Sequence, residues 1–220
     1  MDWEAIGLSL RLAICATLLL CVAGLPLAWW LAWSRWRWKF LVEAAVALPL
    51  LLPPTVLGFY LLLALGPRSP LGRAYASLFG TTLPFTFPGL LVASVLYSLP
   101  FAVRPFAAAF AGIDRRLVEA SWCLGVSRVG TFFRVVLPLA WPGVLAGVVL
   151  AFAHTVGEFG VVLMVGGNIP GATRTVSIAI YDHVQALDYA AAGRTALALL
   201  LFSFAVLSLT YALQRRTWVP

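Results

Sequence analysis

Five long apolar runs alternate with polar connectors along the chain. They cover residues 8–33, 41–65, 88–110, 141–165 and 192–213. Each is long enough for a helix to cross the hydrocarbon of a bilayer, which takes about 20 residues at ~1.5 Å each. None shows the period-two alternation of a membrane barrel strand. The pattern therefore predicts an all-α polytopic bundle, one domain over residues 1–220 with about five transmembrane helices. The connector 34–40 is short, whereas 111–140 and 166–191 are long and mixed. Within the latter, residues 176–187 fit either a short amphipathic helix at the interface or a partial sixth span.

Composition agrees with the pattern. The chain is 62% hydrophobic and 10% charged, against about 25% charged in soluble domains. One water-soluble core cannot hide that much apolar surface, so the lipid bilayer is the expected solvent. The start, MDWEAIG, is acidic, and the basic SRWRWK follows the first run. That order suits a retained anchor with its N-terminus outside.

The basic residues set the orientation. Arg35, Arg37, Lys39, Arg104, Arg115, Arg116, Arg128, Arg134, Arg215 and Arg216 would share one side; Arg11, Arg68, Arg73, Arg174 and Arg194 fall on the other. Cytoplasmic loops carry the basic excess. This puts the N-terminus outside, the C-terminus inside and loop 111–140 in the cytoplasm. The net charge of +7 is then topological and calls for no nucleic-acid partner. A lesser reading has Arg68, Arg73 and Arg174 attract an arriving anion at the outer face. Trp29, Trp30, Trp33, Trp36 and Trp38 would form an interfacial aromatic belt.

Several function classes are excluded. Cys15, Cys21 and Cys123 have neither disulfide-framework nor metal-ligand spacing. The single lysine, Lys39, has no glycine near it, so there is no phosphate-binding loop. HExxH and GxSxG are absent, and no catalytic residue is expected.

The spans are not plain anchors. Span two carries Pro49, Pro53 and Pro54, each of which removes a helical hydrogen bond, so it should be kinked. Span four contains AHTVGEFGVVL. His154 and Glu158 are four apart, share a helical face and can pair. An ionisable group at membrane depth faces a bundle interior or a cavity. Gly157 and Gly160 would allow close helix approach. Pro53, Pro54, His154, Gly157 and Glu158 are the candidate gate or pathway residues. An interhelical polar contact, a gate and a proton relay all fit them.

Loop 111–140 reads as two short helices. Asp114 caps Arg115–Leu124, Gly125 ends that helix, Ser127 caps Arg128–Val136, and Pro138 stops the second. Glu119 can pair with Arg115 or Arg116. The stretch resembles the EAA loop of bacterial ABC-importer permeases: Glu-Ala-Ala, three residues, Gly, nine residues, Ile-x-Leu-Pro. Here it runs Glu119-Ala120-Ser121, Gly125, Val135-x-Leu137-Pro138, with every spacing kept. Ser replaces the second Ala and Val replaces Ile.

LPLLLPPTVLGFYLL, GPRSPLG, FAHTVGEFG and GGNIPGATRTVSIAIYDHVQALDYAAA make the chain most similar to permeases of molybdate importers. His154 departs from the basic residue, commonly Arg, expected in relatives. The resemblance implies a type I ABC importer transmembrane domain in a bacterial inner membrane. It implies a homodimer with two ATP-binding cassette subunits on the cytoplasmic side. Those would bind ATP and Mg, leaving no cofactor on this chain. A periplasmic or extracellular molybdate-binding protein would deliver the anion. Glu119, Ala120, Ser121, Gly125, Val135, Leu137 and Pro138 would form the ATPase-coupling loop. A tungstate or sulfate/thiosulfate permease is the alternative within that class. A self-sufficient secondary carrier using Glu158 and His154, or a scaffold without a pathway, stands outside it.

Overall fold

The structure is a computed structural model that describes residues 2–217, and all described regular elements are helical. Helix α1 spans Trp3–Trp33, α2 Lys39–Leu51, α3 Pro54–Leu65, α4 Pro70–Phe79 and α5 Phe87–Ala111. Then come α6 (Arg115–Cys123), α7 (Arg128–Thr131), a π-helical turn (Phe132–Val136), α8 (Leu137–Gly157), α9 (Gly160–Gly166), α10 (Val176–Gln185) and α11 (Tyr189–Thr217).

The centre of the bundle is α1, α5 and α8. Leu20, Ala28, Ala102, Val103, Phe106, Phe110 and Val144 form one buried cluster between them. Lipid is as apolar as leucine, so packing contact rather than hydrophobic force holds such helices together. Two glycines on one face of α8 make that contact close. A Cβ at Gly143 would lie 2.5 Å from Ala109 Cβ, and one at Gly147 would lie 2.6 Å from the Phe106 ring.

Four helical stretches are long and apolar enough to cross a membrane unbroken: residues 3–33, 87–111, 128–157 and 189–208. The fifth expected span is two helices, α2 and α3, bent by 115°. Leu52 and Pro53 both have extended backbones, with ψ of 137°. Each precedes a proline, whose ring disfavours the helical conformation of the residue before it. The expected kink is a full break.

Two expectations about span four are corrected. Pro138 does not stop a helix: residues 128–157 run as one 30-residue rod. A proline ring would clash with the carbonyl four residues back. The backbone avoids this by widening into the π turn, where Leu137 N–H donates to Phe132 O, five back. The expected run 141–165 is also interrupted. Glu158 is extended, with ψ of 135°, and separates α8 from α9. Glycines on both sides lower the helix propensity there.

The two breaks meet. A Cβ at Gly160 would lie 2.7 Å from Pro54 Cβ, and one at Gly58 would lie 2.6 Å from Met164 Cβ. Thus α3 and α9 pack backbone against backbone, as expected of Gly160. Gly157 has open space around it instead.

The remaining differences are smaller. Helix α4, unmarked in the apolar pattern, is capped by Ser69 Oγ accepting from Gly72 N–H at 2.8 Å and ended by Gly80 at φ +70°. Helix α10 rises only about 15 Å, half the hydrocarbon thickness, too short for a full span. It packs on the bundle: Val176, Ile178 and Ala179 are buried, and Val176 N–H donates to Ser9 Oγ at 2.8 Å. The tryptophan belt divides. Trp30, Trp36 and Trp38 are exposed, whereas Trp29 and Trp33 pack into the bundle.

Gly147→Val should overpack the α5–α8 contact, at about 1–3 kcal/mol, and lower the thermal unfolding midpoint of the purified protein. Gly7→Ala, where nothing lies within 4 Å of the added Cβ, should not lower it. Equal midpoints for the two variants would refute the close-contact account.

Candidate coupling loop and helix-break site

The loop is built by local capping. Asp114 Oδ1 accepts from Arg116 N–H at 2.9 Å and starts α6. Gly125, at φ +79°, turns the chain in the left-handed region that favours glycine. Its N–H donates to Trp122 O at 2.9 Å, and Val126 N–H donates to Ser121 O at 3.1 Å. Ser127 Oγ accepts from Gly130 N–H at 3.1 Å and starts the rod.

The pattern residues divide by exposure. Glu119, Ala120, Gly125 and Pro138 are exposed, Val135 and Leu137 are half-buried, and Ser121 is buried. The Ser121 hydroxyl lies 2.9 Å from the Thr131 hydroxyl and ties α6 to α7. Exposed Trp122 and Leu124 flank the turn. The expected pairing of Glu119 with Arg115 or Arg116 is absent; Glu119 makes no ion pair among the described residues. Arginine preceding glutamate by four is the weaker order on a helix, and both groups are solvated.

An aromatic clamp fastens the base of the loop to the bundle. Trp33 Nε1–H donates to Phe110 O at 3.1 Å, and the Trp29 and Phe132 ring centroids are 4.3 Å apart. Trp29 also meets Phe110 at 6.2 Å. The C-terminal ends of α1 and α5 and the start of the rod are thereby joined.

At the far end of the rod, the expected His154–Glu158 pair does not form. Four-residue spacing brings side chains together only within a continuous helix, and this one ends at Gly157. His154 Nδ1 instead lies 2.9 Å from Ser98 Oγ on α5. Its ring stacks on Phe101 at 3.8 Å, with Tyr97 at 4.9 Å. Ser98 also lies 2.8 Å from Thr155 Oγ1, which bonds Ala151 O at 2.8 Å.

Glu158 is 4% exposed. Neither of its carboxyl oxygens has a hydrogen-bond partner among the described residues. The Ser94 hydroxyl faces it, but the geometry falls short of a hydrogen bond. Pro54 lies against Gly160, two residues beyond Glu158. The structure therefore joins Pro54, the Glu158 break and His154 through α3, α5 and α9, with Pro53 preceding Pro54 in the α2–α3 break and Gly157 facing open space. Sequence reasoning missed Ser94, Tyr97, Ser98 and Phe101. Their spacing of 3, 1 and 3 marks one stripe of span three, and that was the available signal.

Arg174, expected to attract an anion, is not free to meet one. It lies 3.3 Å from Asp182 and 4.0 Å from Asp2, and its Nε–H donates to Asn168 Oδ1 at 2.7 Å. It crosslinks the start of α1 to the segment around α10. Arg68 and Arg73 are exposed and make no ion pair among the described residues.

The helical bundle, with its capped, exposed helix-turn and its meeting helix breaks, has the fold of a type I importer transmembrane domain. Residues 24–219 match the model for the binding-protein-dependent transport system inner membrane component, and the chain belongs to that family. It is a multi-pass membrane translocation subunit rather than an enzyme.

The chain is 55% identical over 214 residues to the molybdenum transport system permease protein ModB of Azotobacter vinelandii, covering 97% of this chain and 95% of that one. It is 39% identical over 184 residues to ModB of Escherichia coli K12, covering 84% and 80%. A probable sulfate transport system permease protein of Chlorella vulgaris is 34% identical over 208 residues, covering 94% and 77%. Among solved structures, a bacterial alginate ABC transporter superposes with a TM-score of 0.77 at 17% identity, covering 97% of this chain and 78% of that one. The MetNI methionine ABC transporter gives 0.74 at 17%, covering 98% and 95%.

Ser121→Ala should leave the buried Thr131 hydroxyl without its partner and cost about 1–3 kcal/mol. The double variant Ser121→Ala/Thr131→Val should recover most of that loss. Additive losses in chemical denaturation would show that the two hydroxyls are not coupled.

Proposed function

We propose that this chain is the permease subunit of an ATP-driven molybdate importer in a bacterial inner membrane. It works as a homodimer, with two ATP-binding cassette subunits on the cytoplasmic side and an outer molybdate-binding protein. One observation carries the reading: the Glu119 to Pro138 pattern folds as an exposed helix-turn on a rod that ends at the break. The substrate rests on the 55% identity to a molybdenum permease over nearly the full length of both chains; the sulfate relatives are more distant.

The mechanism follows from what each part can do. Glu119, Ala120 and the neighbouring Trp122 and Leu124 present α6 to a cleft of the ATPase. Gly125 holds the turn, and Ser121 makes α6 move with the rod. Val135, Leu137 and Pro138 lie at the π turn, where the rod enters the membrane. The rod, about 45 Å long, carries the motion of ATPase closure to the break at Glu158. There α9 presses on Pro54, so displacement of the rod end shifts α3. Pro53, Pro54 and Glu158 are the gate hinge; Gly157 supplies room for it, and His154 braces the rod end on α5. Substrate passes between the two copies of the chain, without a tight cage on either.

The test is uptake of labelled molybdate by cells lacking their own importer and expressing this chain with its ATPase and binding protein. Uptake suppressed by excess tungstate and not by excess sulfate supports the reading. Suppression by sulfate would move the chain to the sulfate branch, and uptake independent of the ATPase would make it a secondary carrier. Gly125→Val should cost about 1–2 kcal/mol in the left-handed turn. It should abolish most uptake while membrane insertion stays normal. Glu119→Ala should weaken ATPase co-purification; unchanged co-purification and uptake would remove Glu119 from the coupling surface.

A further inference from the structure

The inner ends of α1, α2 and α5 do not close on one another. Between them lies a cavity of about 550 Å³, lined by small side chains such as Ala47, Ala107 and Ala108 and by three charged ones, Lys39, Glu43 and Arg104. The charges are not equivalent. Lys39 Nζ is 3.3 Å from Glu43 Oε1 and donates to Leu31 O at 3.0 Å. Arg104 makes no ion pair and no side-chain hydrogen bond among the described residues.

Arg104 sits about two turns before the loop end of α5 and is exposed at the mouth of the cavity. On an apolar helix that spans a bilayer, such a cation is met by water or by an anion. A guanidinium offers parallel N–H pairs that match the edges of a tetrahedral oxyanion. The small alanine side chains that line the same cavity leave it roomy enough for one. Lys39 and Arg104 outweigh Glu43, so the cavity carries a net positive charge. Its α2 wall ends at the Pro53–Pro54 break, so the wall can move against α5 when the break flexes.

We infer that this cavity is a weak site for a tetrahedral oxyanion on the cytoplasmic side of the membrane. Arg104 is its first ligand, and Lys39 joins when it leaves Glu43. The imported anion on its way out and the phosphate of an inner-leaflet lipid present the same chemistry. The first of these sources rests on the molybdate reading above.

The test uses the permease assembled with its ATPase in nanodiscs, made either from phosphatidylcholine alone or with added phosphatidylglycerol. Molybdate, tungstate and sulfate binding is measured by equilibrium dialysis, and retained phosphatidylglycerol by mass spectrometry. Arg104→Gln should weaken oxyanion binding in phosphatidylcholine discs by about tenfold, the worth of one charged hydrogen-bond pair. Arg104→Lys should keep most of it. If the wild type binds no free oxyanion but Arg104→Gln alone loses retained phosphatidylglycerol, the site holds lipid phosphate. Arg104→Gln equal to wild type in both measurements overturns the inference. Should that variant fail to assemble, Glu43→Gln frees Lys39 and should tighten binding severalfold; no change in it overturns the site equally. Failure of the molybdate reading would appear separately, as wild-type cells that import none.

Discussion

The close approach of α8 to α5 at Gly143 and Gly147 is the contact on which the rest of the structure depends. Side chains of any size there would push the helices apart, since the added Cβ atoms would fall within 2.6 Å of Ala109 and Phe106. Held this closely, the rod has one place on the bundle. Its lower end falls where Phe132 meets Trp29 and Phe110. Its upper end falls where His154 and Thr155 reach Ser98. Dispersion contact supplies this in a lipid solvent that gives no hydrophobic drive between helices.

The polar residues at the top of the rod are placed with unequal satisfaction. Ser98, His154 and Thr155 bond one another and Ala151 O, so the rod end is braced against α5. Glu158 and Ser94, one turn away, are buried without such partners. A fully satisfied network is rigid, whereas a buried and unsatisfied group is costly to keep in one place. The boundary between them coincides with the change from α8 to the extended residue at the break. In the proposed importer, this stiff rod meeting a poorly satisfied joint would pass motion on to the break.

Much of this was legible in the sequence, where local rules decide the outcome. The apolar runs mark the spans, Asp114 and Ser127 cap the helices they were expected to cap, and Gly125 takes the left-handed turn. The misses arise where one rule overrode another. Pro138 normally ends a helix, but a π turn relieved its clash and the rod continued. His154 and Glu158 looked paired because the spacing rule assumes a continuous helix, and the glycines around Glu158 broke it. Pro53 and Pro54 announced a kink, but its size of 115° depends on two successive residues both preceding proline. The bond from His154 to Ser98 joins residues 56 apart, and no local pattern carries it. The close contact of Gly143 and Gly147 with α5 is likewise tertiary.

In the proposed importer, the segment from Arg128 to Gly157 moves as one body when the ATPase closes. This is tested most directly by spin-label distances in the assembled transporter, with and without trapped ATP. Labels at the exposed positions Val129 and Leu150 straddle the π turn within one rod. The distance between them should stay constant while the distance from Val129 to its counterpart in the other copy of the proposed dimer changes. A change within the rod would make the π turn a hinge, and the motion would then stop short of the break at Glu158.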